Sequence, residues 1–412
     1  MKVLQIVPSL SLVYGGPSQM VRGLSAALAR QEAIAQTTVI TTDANGDIDE
    51  DPLDVPLGQP IAQDGYEVIY FRCAPFRRYK FSTALLRWLW DNAHHYDIAH
   101  IHALFSPVST AAATLCRWQK LPYIMRPLGT LDPADLNKKK HFKKLYAHLL
   151  EKPNLAGAAA LHFTSEPEAK VSKRFGTKTP AMVLPLGVAL PTLPPRTEAK
   201  AQIREQFDIP KGFPIILFMS RIDPKKGFDL LLPALDKLHQ NKHVFHLLLC
   251  GSNPQDREYE ISIKQQIESS NWSAQVTFSG FVSGELKAAI LSAADLFVLP
   301  SYYENFGIAV AEAMAARLPV VISNKIDIWP KVAEYDAGWV VPTEIAPLTQ
   351  ALVGALSDAE VREQKGQNAQ RCAEENYGWD AIAHTLTIHY QAIVERNSRM
   401  HPSLKMSLNQ ER

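Results

Sequence analysis

Short apolar runs alternate with amphipathic stretches along the whole chain. In the first half, runs rich in Val, Ile and Leu lie at 3–7, 37–41, 67–71, 97–102, 123–126, 159–163 and 181–184. In the second half they lie at 215–219, 245–249, 275–278, 295–299, 320–323 and 339–341. Helical patterns of roughly 10–15 residues separate most of them. Because such short runs are typical of strands buried on both faces, the alternation predicts βαβ units with parallel sheets.

A proline-rich segment divides the two sets of runs. The sequence Leu-Pro-Thr-Leu-Pro-Pro at 190–195 predicts a stiff, extended connector after the last run of the first half. We therefore predict an α/β fold with two doubly wound, parallel-sheet domains, at 1–188 and 189–378. A long amphipathic helix is predicted at 379–396, and the polar tail at 397–412 is expected to be flexible.

Composition limits the functional classes. The chain of 412 residues has 46% hydrophobic residues, 21% charged residues and a net charge of +1. These values indicate a soluble globular protein and give no case for nucleic-acid binding. The four cysteines are far apart in sequence, so they predict neither a disulfide framework nor a zinc site and favour a reducing cytoplasm. We expect neither a signal peptide nor a membrane-spanning segment.

The segment Ser-Tyr-Tyr-Glu-Asn-Phe-Gly-Ile-Ala-Val-Ala-Glu at 301–312 carries the main chemical signal. It predicts the end of a strand, a tight loop and a helix that begins near Gly307. The N-terminus of such a helix binds anions. Glu304 lies just before the helix and Glu312 within it, which suits a ligand with both a phosphate and hydroxyl groups, such as a sugar nucleotide. The alternative is a pair of solvated glutamates at a helix start.

The spacing Glu-x7-Glu with Phe-Gly between resembles the signature of the family 4 (group 1) retaining glycosyltransferases of the GT-B fold. The resemblance implies two Rossmann-like domains that face each other across a cleft, with the helix at 379–396 packing back onto the first. It implies that Glu304 contacts the donor sugar and that Glu312 holds the ribose. The amides implied to hold the sugar and its phosphate are those of Asn305, Phe306 and Gly307.

Two basic residues follow the run at 215–219. Arg221 can recognise a phosphate with two parallel hydrogen bonds, and Lys226 offers a mobile point charge. Two merely exposed basic residues are the alternative, but the pair matches the Arg-x4-Lys-Gly pattern of the family. The resemblance then implies that both cations stabilise the departing nucleoside diphosphate. The further donor-binding positions that it implies are Gly251, Phe281 and Val282.

Candidate residues of the first half also follow predicted strands. Taken alone, Gly15 and Gly16 make an ordinary turn, but the resemblance places this turn at the donor phosphates. Alternation puts His100 and His102 on one face of their strand, where packed histidines are the alternative to a site. The resemblance gives His102 a hydrogen bond at the reacting centre. Its acceptor-side segment corresponds to Arg126, Gly129 and Thr130.

Charge is unevenly distributed along the chain. Basic residues mixed with aromatic or apolar ones lie at 77–90 and 137–150, and such stretches can rest on an anionic membrane. A solvated charged face is the alternative. The acidic segment at 43–67 contains Asp47 and Asp49, and we interpret it as a variable polar loop because prolines and a glycine interrupt it. We expect no metal and no other cofactor.

These features together predict a cytoplasmic, metal-independent, retaining hexosyltransferase. It would move a sugar from a UDP- or GDP-linked donor to a glycan or lipid-linked acceptor in polysaccharide or glycolipid biosynthesis, with peripheral contact at the inner face of the membrane. The predicted catalytic residues are His102, Arg221, Lys226 and Glu304. Two alternatives stay open: an epimerase or phosphorylase on the same fold, and a non-catalytic nucleotide-sugar-binding protein.

Overall fold

The chain folds into two compact α/β units. The computed structural model describes residues 1–14, 16–46, 51–74, 79–127, 146–173, 176, 178–188 and 192–400. Unit 1 comprises Met1–Gly187 together with the chain from Trp379 onward, and unit 2 comprises Val188–Gly378. The prediction of a flexible tail at 397–412 is wrong at 397–400, which continue the last helix. Residues 401–412 lie outside the described residues.

Unit 1 is built on an eight-stranded sheet in the order β3-β4-β2-β1-β5-β6-β7-β8. The strands are β1 (Lys2–Ser9), β2 (Gln36–Thr42), β3 (Pro60–Gln63), β4 (Tyr66–Phe71), β5 (Ile98–His102), β6 (Tyr123–Arg126), β7 (Ala160–Phe163) and β8 (Ala181–Val183). Its helices before the boundary are α1 (Gly16–Ala29), α2 (Thr83–Asn92), α3 (Pro107–Trp118), α4 (Lys152–Gly157) and α5 (Glu166–Ser172). All strand pairs are parallel except β3–β4.

The antiparallel strand β3 corrects the sequence analysis. The prediction of a polar loop throughout 43–67 is wrong at Pro60–Gln63, which pairs with β4. The strand lies at the edge of the sheet, and its residues alternate only between exposed and partly buried. An edge strand with no buried face produces no apolar run, so the criterion that identified the other strands could not find it.

Unit 2 is built on a six-stranded, all-parallel sheet in the order β11-β10-β9-β12-β13-β14. The strands are β9 (Ile215–Met219), β10 (His246–Cys250), β11 (Val276–Gly280), β12 (Leu296–Leu299), β13 (Val320–Ser323) and β14 (Gly338–Val341). The helices are α6 (Arg196–Gln206), α7 (Phe228–Gln240), α8 (Arg257–Glu268), α9 (Gly284–Ala293), α10 (Ile308–Ala315), α11 (Trp329–Glu334), α12 (Ile345–Ser357) and α13 (Ala359–Tyr377). Its central strands β9, β10, β12 and β13 are buried along their whole length.

The last helix, α14 (Trp379–Met400), belongs to unit 1 and packs on α1. At its start the indole of Trp379 fits against two glycines. A Cβ atom on Gly187 would lie 2.1 Å from the indole, and one on Gly23 would lie 2.5 Å from it. Further along, Tyr390 is fully buried. Two glycines therefore make room for the indole at the start of α14, and a buried tyrosine lies near its middle. No helix in the described residues is long and apolar enough to cross a bilayer.

Each sheet contains one point at which the order of the strands reverses. In unit 2 this point lies between β9 and β12, and in unit 1 it lies between β1 and β5. The two strands at such a point send their following loops to opposite sides, which leaves a crevice at their carboxyl ends where ligands of open α/β sheets bind. His102 ends β5 and Glu304 follows β12, so both lie beside such a point.

Candidate active site

The loops after β9 and β12 are in contact at the reversal point of unit 2. The amide of Tyr302 donates to the carbonyl oxygen of Lys225 at 2.8 Å. Gly227 has a left-handed conformation with φ of 75°, and a Cβ atom there would lie 2.3 Å from the carbonyl oxygen of Pro300. Only glycine allows this close approach without strain. The loop that carries Lys226 is thereby held against the loop that carries Glu304.

Lys226 and Glu304 form an ion pair in this crevice. The ammonium group of Lys226 contacts Oε1 of Glu304, and the two side chains are only 12% and 20% exposed. The backbone of Glu304 is fixed as well, because its amide donates to the carbonyl oxygen of Lys325 and its own carbonyl oxygen accepts from the amide of Asp327, both at 3.1 Å. The structure therefore brings together two of the predicted catalytic residues and orients the carboxylate.

Gly307 begins α10 in the same crevice. It is the N-cap residue, with φ of 84°, and a Cβ atom there would lie 2.7 Å from Cγ2 of Ile326. No side chain caps this helix start, so its first amides face outward as hydrogen-bond donors. The preceding residue, Phe306, is buried and makes an edge-to-face contact with Tyr377, with 5.4 Å between the ring centroids. Phe306 thus anchors the loop, while Asn305 lies beside it at intermediate burial.

Glu312, the second predicted glutamate, pairs with a residue that the sequence analysis missed. Its Oε1 lies 2.6 Å from Nζ of Lys287 on α9, and the side chains are 18% and 24% exposed. Lys287 follows the segment that contains Phe281 and Val282, but only the approach of α9 to α10 shows its partner. The carboxylate predicted to hold a ribose is therefore already oriented by a cation.

The remaining residues predicted to bind the donor follow β9, β10 and β11, and they differ in their exposure and contacts. Arg221 is exposed, and its Nη1 donates to Oε1 of Gln255 at 3.2 Å. Gly251 follows β10 with φ of 150°, and a Cβ atom there would lie 1.9 Å from the carbonyl oxygen of Ser220, so only glycine lets the Arg221 loop approach. After β11, Phe281 is 77% exposed whereas Val282 is buried. The structure thus does not bring Arg221 into the Lys226 ion pair.

In unit 1, His102 ends β5 beside the reversal point and is completely buried. Its Nε2 lies 2.7 Å from Oε1 of Gln5, which is also buried. The next residues of the chain are held in unusual conformations, since Ala103 and Phe105 have φ of 69° and 57°. The amide of Phe105 donates to the carboxylate of Glu151 at 2.8 Å, so a buried side chain fixes the loop that follows His102.

The other candidates of unit 1 are only partly described. Gly16 begins α1, whereas Gly15, Gly129 and Thr130 lie outside the described residues. Arg126 ends β6 directly beside His102 and is 1% exposed. Its Nη1 donates to the sulfur of Met20 at 2.8 Å, while its Nε and Nη2 have no acceptor among the described residues. Burial lowers the pKa of Arg126 to about 10.

Burial shifts the pKa values of His102 and of the ionisable groups near it. It lowers the pKa of His102 well below its usual value, and the cationic charge of Arg126 adds to this effect. The pKa values of His100 and His162 are also lowered, and burial is the largest cause. The pKa of Glu151 is raised by burial. The histidines of unit 1 at this strand edge are therefore neutral at pH 7.

The described residues contain no cluster of three or more His, Cys, Asp or Glu side chains that could hold a metal ion. Part of the acidic segment with Asp47 and Asp49 falls on 47–50, outside the described residues. The four cysteines are buried and free. The groups beside Glu304 that can bind a phosphate include Lys226 and the amides that begin α10.

Comparison with known proteins assigns both units. The family model described as "Glycosyl transferase 4-like domain" matches residues 15–187, and the one described as "Glycosyl transferases group 1" matches residues 199–372. Together they cover most of unit 1 and unit 2. The chain belongs to the group 1 glycosyltransferases, also called family 4, and has the GT-B fold that the sequence analysis predicted.

Individual relatives agree with this assignment. A D-inositol 3-phosphate glycosyltransferase of Xylanimonas cellulosilytica is 28% identical over 93% of this chain and 94% of its own length. An uncharacterized glycosyltransferase of Methanocaldococcus jannaschii is 32% identical, but the match spans 49% of this chain and about half of the relative, 51%. A crystal structure of Anabaena HepE in complex with UDP-glucose has a TM-score of 0.73 at 18% identity, covering 95% and 100% of the two chains. At that identity the similarity shows the fold.

Proposed function

We propose that this protein is a retaining hexosyltransferase that uses a UDP- or GDP-linked sugar as donor. The observation that carries the proposal is the ion pair of Lys226 and Glu304 at the reversal point of unit 2. It provides a cation for a phosphate and a carboxylate for sugar hydroxyls at the place where open α/β sheets bind ligands. The crystal structure of Anabaena HepE, which has the same fold, is in complex with UDP-glucose, and this supports a nucleotide sugar as the ligand.

Donor binding exchanges the partners within this ion pair. The diphosphate attracts Lys226 and the amides at the start of α10, and it accepts hydrogen bonds from both. Glu304 then accepts hydrogen bonds from hydroxyl groups of the sugar, while Glu312, oriented by Lys287 at 2.6 Å, accepts from the ribose. Arg221 turns from Gln255 to the diphosphate. These cations stabilise the charge that develops on the departing nucleoside diphosphate, so no metal is required.

The proposed transfer retains the anomeric configuration. The acceptor hydroxyl attacks the anomeric carbon from the face on which the nucleoside diphosphate leaves. The bond from the anomeric carbon to the phosphate oxygen breaks with its electron pair on the phosphate, and that phosphate takes the proton of the acceptor hydroxyl. A two-carboxylate mechanism would need a nucleophile and an acid. Glu304 and Glu312 are instead paired with lysines, which suits binding roles.

The proposal is tested by product analysis. The protein would be incubated in EDTA with UDP- and GDP-linked hexoses and with glycan or lipid-linked acceptors, and the product examined by proton NMR. We expect one donor to give a new glycoside with the anomeric configuration of the donor, together with the free nucleoside diphosphate. A product with inverted configuration would contradict the mechanism. Release of an epimerised nucleotide sugar or of a sugar phosphate would instead identify an epimerase or a phosphorylase.

We also propose that the acceptor is a glycan or lipid-linked intermediate of polysaccharide or glycolipid synthesis at the cytoplasmic membrane surface. On α2, Arg87 is exposed and Trp90 is 50% exposed. Leu149 and Leu150 are exposed as well. An aromatic side chain beside a cation suits the boundary between water and lipid. Residues 77–78 and 137–145 of the basic stretches lie outside the described residues.

Co-sedimentation with lipid vesicles tests this contact. We expect binding to vesicles that contain anionic lipid at low salt, and weaker binding at high salt because the Debye length shortens. The double variant Arg87→Ala/Trp90→Ala should reduce the bound fraction, whereas the exposed Trp118→Ala on α3 serves as a control for the loss of a tryptophan. If equal fractions of the wild-type protein sedimented with neutral and with anionic vesicles, the proposed electrostatic contact would be wrong.

A further inference from the structure

A continuous chain of buried hydrogen bonds leads from the backbone of unit 1 to His102. Nε2 of His162 lies 3.0 Å from the carbonyl oxygen of Leu184, and Nδ1 of His162 lies 3.3 Å from Nε2 of His100. Nδ1 of His100 lies 2.7 Å from the hydroxyl of Tyr390 on α14. That hydroxyl lies 3.2 Å from Nε2 of Gln5, whose Oε1 lies 2.7 Å from Nε2 of His102.

The direction of every hydrogen bond in this chain is determined by its first member. A carbonyl oxygen can only accept, so Nε2 of His162 carries the proton and its Nδ1 accepts. His100 must then donate through Nε2 and accept at Nδ1. Because all three histidines are buried with lowered pKa values, each is neutral and has a single ring proton to place.

The second half of the chain follows by the same argument. Tyr390 uses its one proton to donate to His100, so its oxygen can only accept from the amide nitrogen of Gln5. The Oε1 atom of Gln5 consequently faces His102 and accepts its Nε2 proton. The result is one tautomer of His102, with the proton on Nε2 and a lone pair on Nδ1.

Nδ1 of His102 is the unsatisfied end of this chain. It is buried and has no hydrogen-bond partner among the residues that the structure describes. A buried polar atom without a partner is costly, and native proteins satisfy such atoms or use them. His102 stands at the carboxyl end of β5, beside the reversal point between β1 and β5. A lone pair at this place needs a donor, and a hydroxyl group is the donor that a sugar provides.

We propose that Gln5 and Tyr390 are positioning residues that impose this tautomer of His102 and so keep its Nδ1 as a hydrogen-bond acceptor, ready for the substrate contact that the family resemblance implies for His102. The identity of the substrate rests on the proposed function, but the tautomer does not. With the proton on Nδ1 instead, the ring would present a donor and leave the hydroxyl proton unmatched. The helix α14 therefore acts on His102 through Tyr390. The hydroxyl of Tyr390 is separated from the ring of His102 by two hydrogen bonds, through Gln5.

Nitrogen-15 NMR of the histidine side chains tests the tautomer in the full-length protein without substrate. In the wild type we expect His102 to show an unprotonated Nδ1 and a protonated Nε2. In Tyr390→Phe the amide of Gln5 loses its acceptor and can rotate to donate to His102, so the two nitrogen shifts should move towards each other. The variant Gln5→Met, which removes the amide, should have the same effect. It replaces Tyr390→Phe in the NMR test if Tyr390→Phe does not fold.

Kinetics tests the positioning role. We expect Tyr390→Phe to lower kcat/KM by roughly tenfold, the loss typical of one misdirected hydrogen bond. The matched control is Tyr123→Phe on β6. This tyrosine is equally buried and in the same unit, and its hydroxyl donates to the carbonyl oxygen of Asn154 at 2.6 Å, outside the chain of histidines. Tyr123→Phe should leave the shifts of His102 and kcat/KM unchanged.

Two results would overturn the inference. A protonated Nδ1 in wild-type His102 would contradict the tautomer. Nitrogen shifts or kcat/KM values that change equally in Tyr390→Phe and Tyr123→Phe, or in neither, would contradict the positioning role. Because the NMR measurement needs no substrate, failure of the protein to transfer any sugar would be recognised separately as a failure of the proposed function.

Discussion

At the scale of single residues, the account depends on a lysine and a glutamate that are brought together from different loops. Ion pairs on a protein surface contribute about 0–1 kcal/mol to stability. The pair of Lys226 and Glu304 is mostly buried and lies at the reversal point of unit 2. Because the proposed donor exchanges partners with this pair, we expect both residues to matter more for catalysis than for folding.

We predict that Lys226→Ala and Glu304→Ala each lower turnover by orders of magnitude while leaving the fold intact. The lysine stabilises the leaving diphosphate, and the glutamate holds the sugar in position for attack. Turnover would be measured with the best donor, and the fold by circular dichroism. The control is Lys331→Ala, which breaks an exposed ion pair with Glu334 in the same unit. Near-normal turnover in either site variant would remove that residue from the mechanism.

A second residue-scale prediction concerns Lys287. Removing its side chain leaves the Glu312 carboxylate, 18% exposed, without the cation that orients it. We expect Lys287→Ala to weaken binding of the nucleotide by roughly tenfold, about 1.4 kcal/mol, in isothermal titration calorimetry. Lys331→Ala is again the control, because Lys331 pairs with the exposed Glu334 within α11. Equal affinities of the two variants would show that Lys287 has no part in the site.

At the scale of elements, the attachment of α14 depends on the two glycines that contact Trp379. A side chain at Gly187 would overlap the indole, with a Cβ atom 2.1 Å away. We predict that Gly187→Ala destabilises the protein by about 1–3 kcal/mol, the usual cost of overpacking. Gly354→Ala in α12 is the control, since its Cβ atom would make only an ordinary van der Waals contact, 3.9 Å from Nε1 of Trp339.

Thermal and urea unfolding would measure this loss of stability, whereas the control Gly354→Ala should raise the free energy of unfolding. Replacing a helical glycine by alanine where there is room stabilises a protein by about 0.5–1 kcal/mol. The double variant Gly187→Ala/Trp379→Leu should recover part of the loss, because the smaller side chain leaves space for the new methyl group. Equal stability of Gly187→Ala and the wild type would show that the indole does not hold α14 at this point.

The sequence predicted elements where burial leaves a local pattern. Strands such as β9 and β12 are buried along their whole length and appear as continuous apolar runs, so their positions were predicted to within about a residue. The edge strand β3 has no buried face and was missed. Element boundaries depend on caps: Ser82, for example, begins α2 by accepting a hydrogen bond from the amide of Leu85 at 3.2 Å.

The candidate site was predictable only in part, for a related reason. Glu304, Gly307 and Lys226 lie in strand-to-helix loops, where residue type and spacing carry information. Lys287 could not be identified, because its role depends on the approach of α9 to α10. The same holds for Tyr390, whose partner Gln5 is 385 positions away in the sequence. Side-chain contacts between distant segments leave no periodic pattern in either segment.

At the scale of the whole molecule, the buried histidines predict sensitivity to acid. The pKa values of His100, His102 and His162 are all lowered in the folded protein, mainly because the rings are buried. In the unfolded chain they titrate near 6.5. Below that pH the unfolded state therefore binds more protons than the folded state, and the free energy of unfolding falls as the pH falls.

Each neutral buried histidine contributes a slope of up to about 1.4 kcal/mol per pH unit below 6.5. His246, whose pKa burial lowers to about 4, adds a fourth such contribution, whereas the raised pKa of Glu151 acts in the opposite direction. Urea unfolding between pH 7 and pH 5 would measure this slope. The variant His162→Asn should reduce the slope by about 1.4 kcal/mol per pH unit, the contribution of one neutral ring. Stability that is constant between pH 7 and pH 5 would contradict the neutral, buried histidines.

The central claim is that the crevice of unit 2 binds a nucleotide sugar through Lys226 and without a metal ion. Thermal unfolding in EDTA, with UDP, GDP, ADP and their sugars, tests it most directly. A ligand at about 100 times its Kd stabilises the folded protein by about 2.7 kcal/mol. We predict that a uridine or guanosine ligand raises the Tm of the wild type and of Lys331→Ala, and that Lys226→Ala loses most of this shift. An unchanged Tm with every ligand, or an equal shift in Lys226→Ala, would contradict the account.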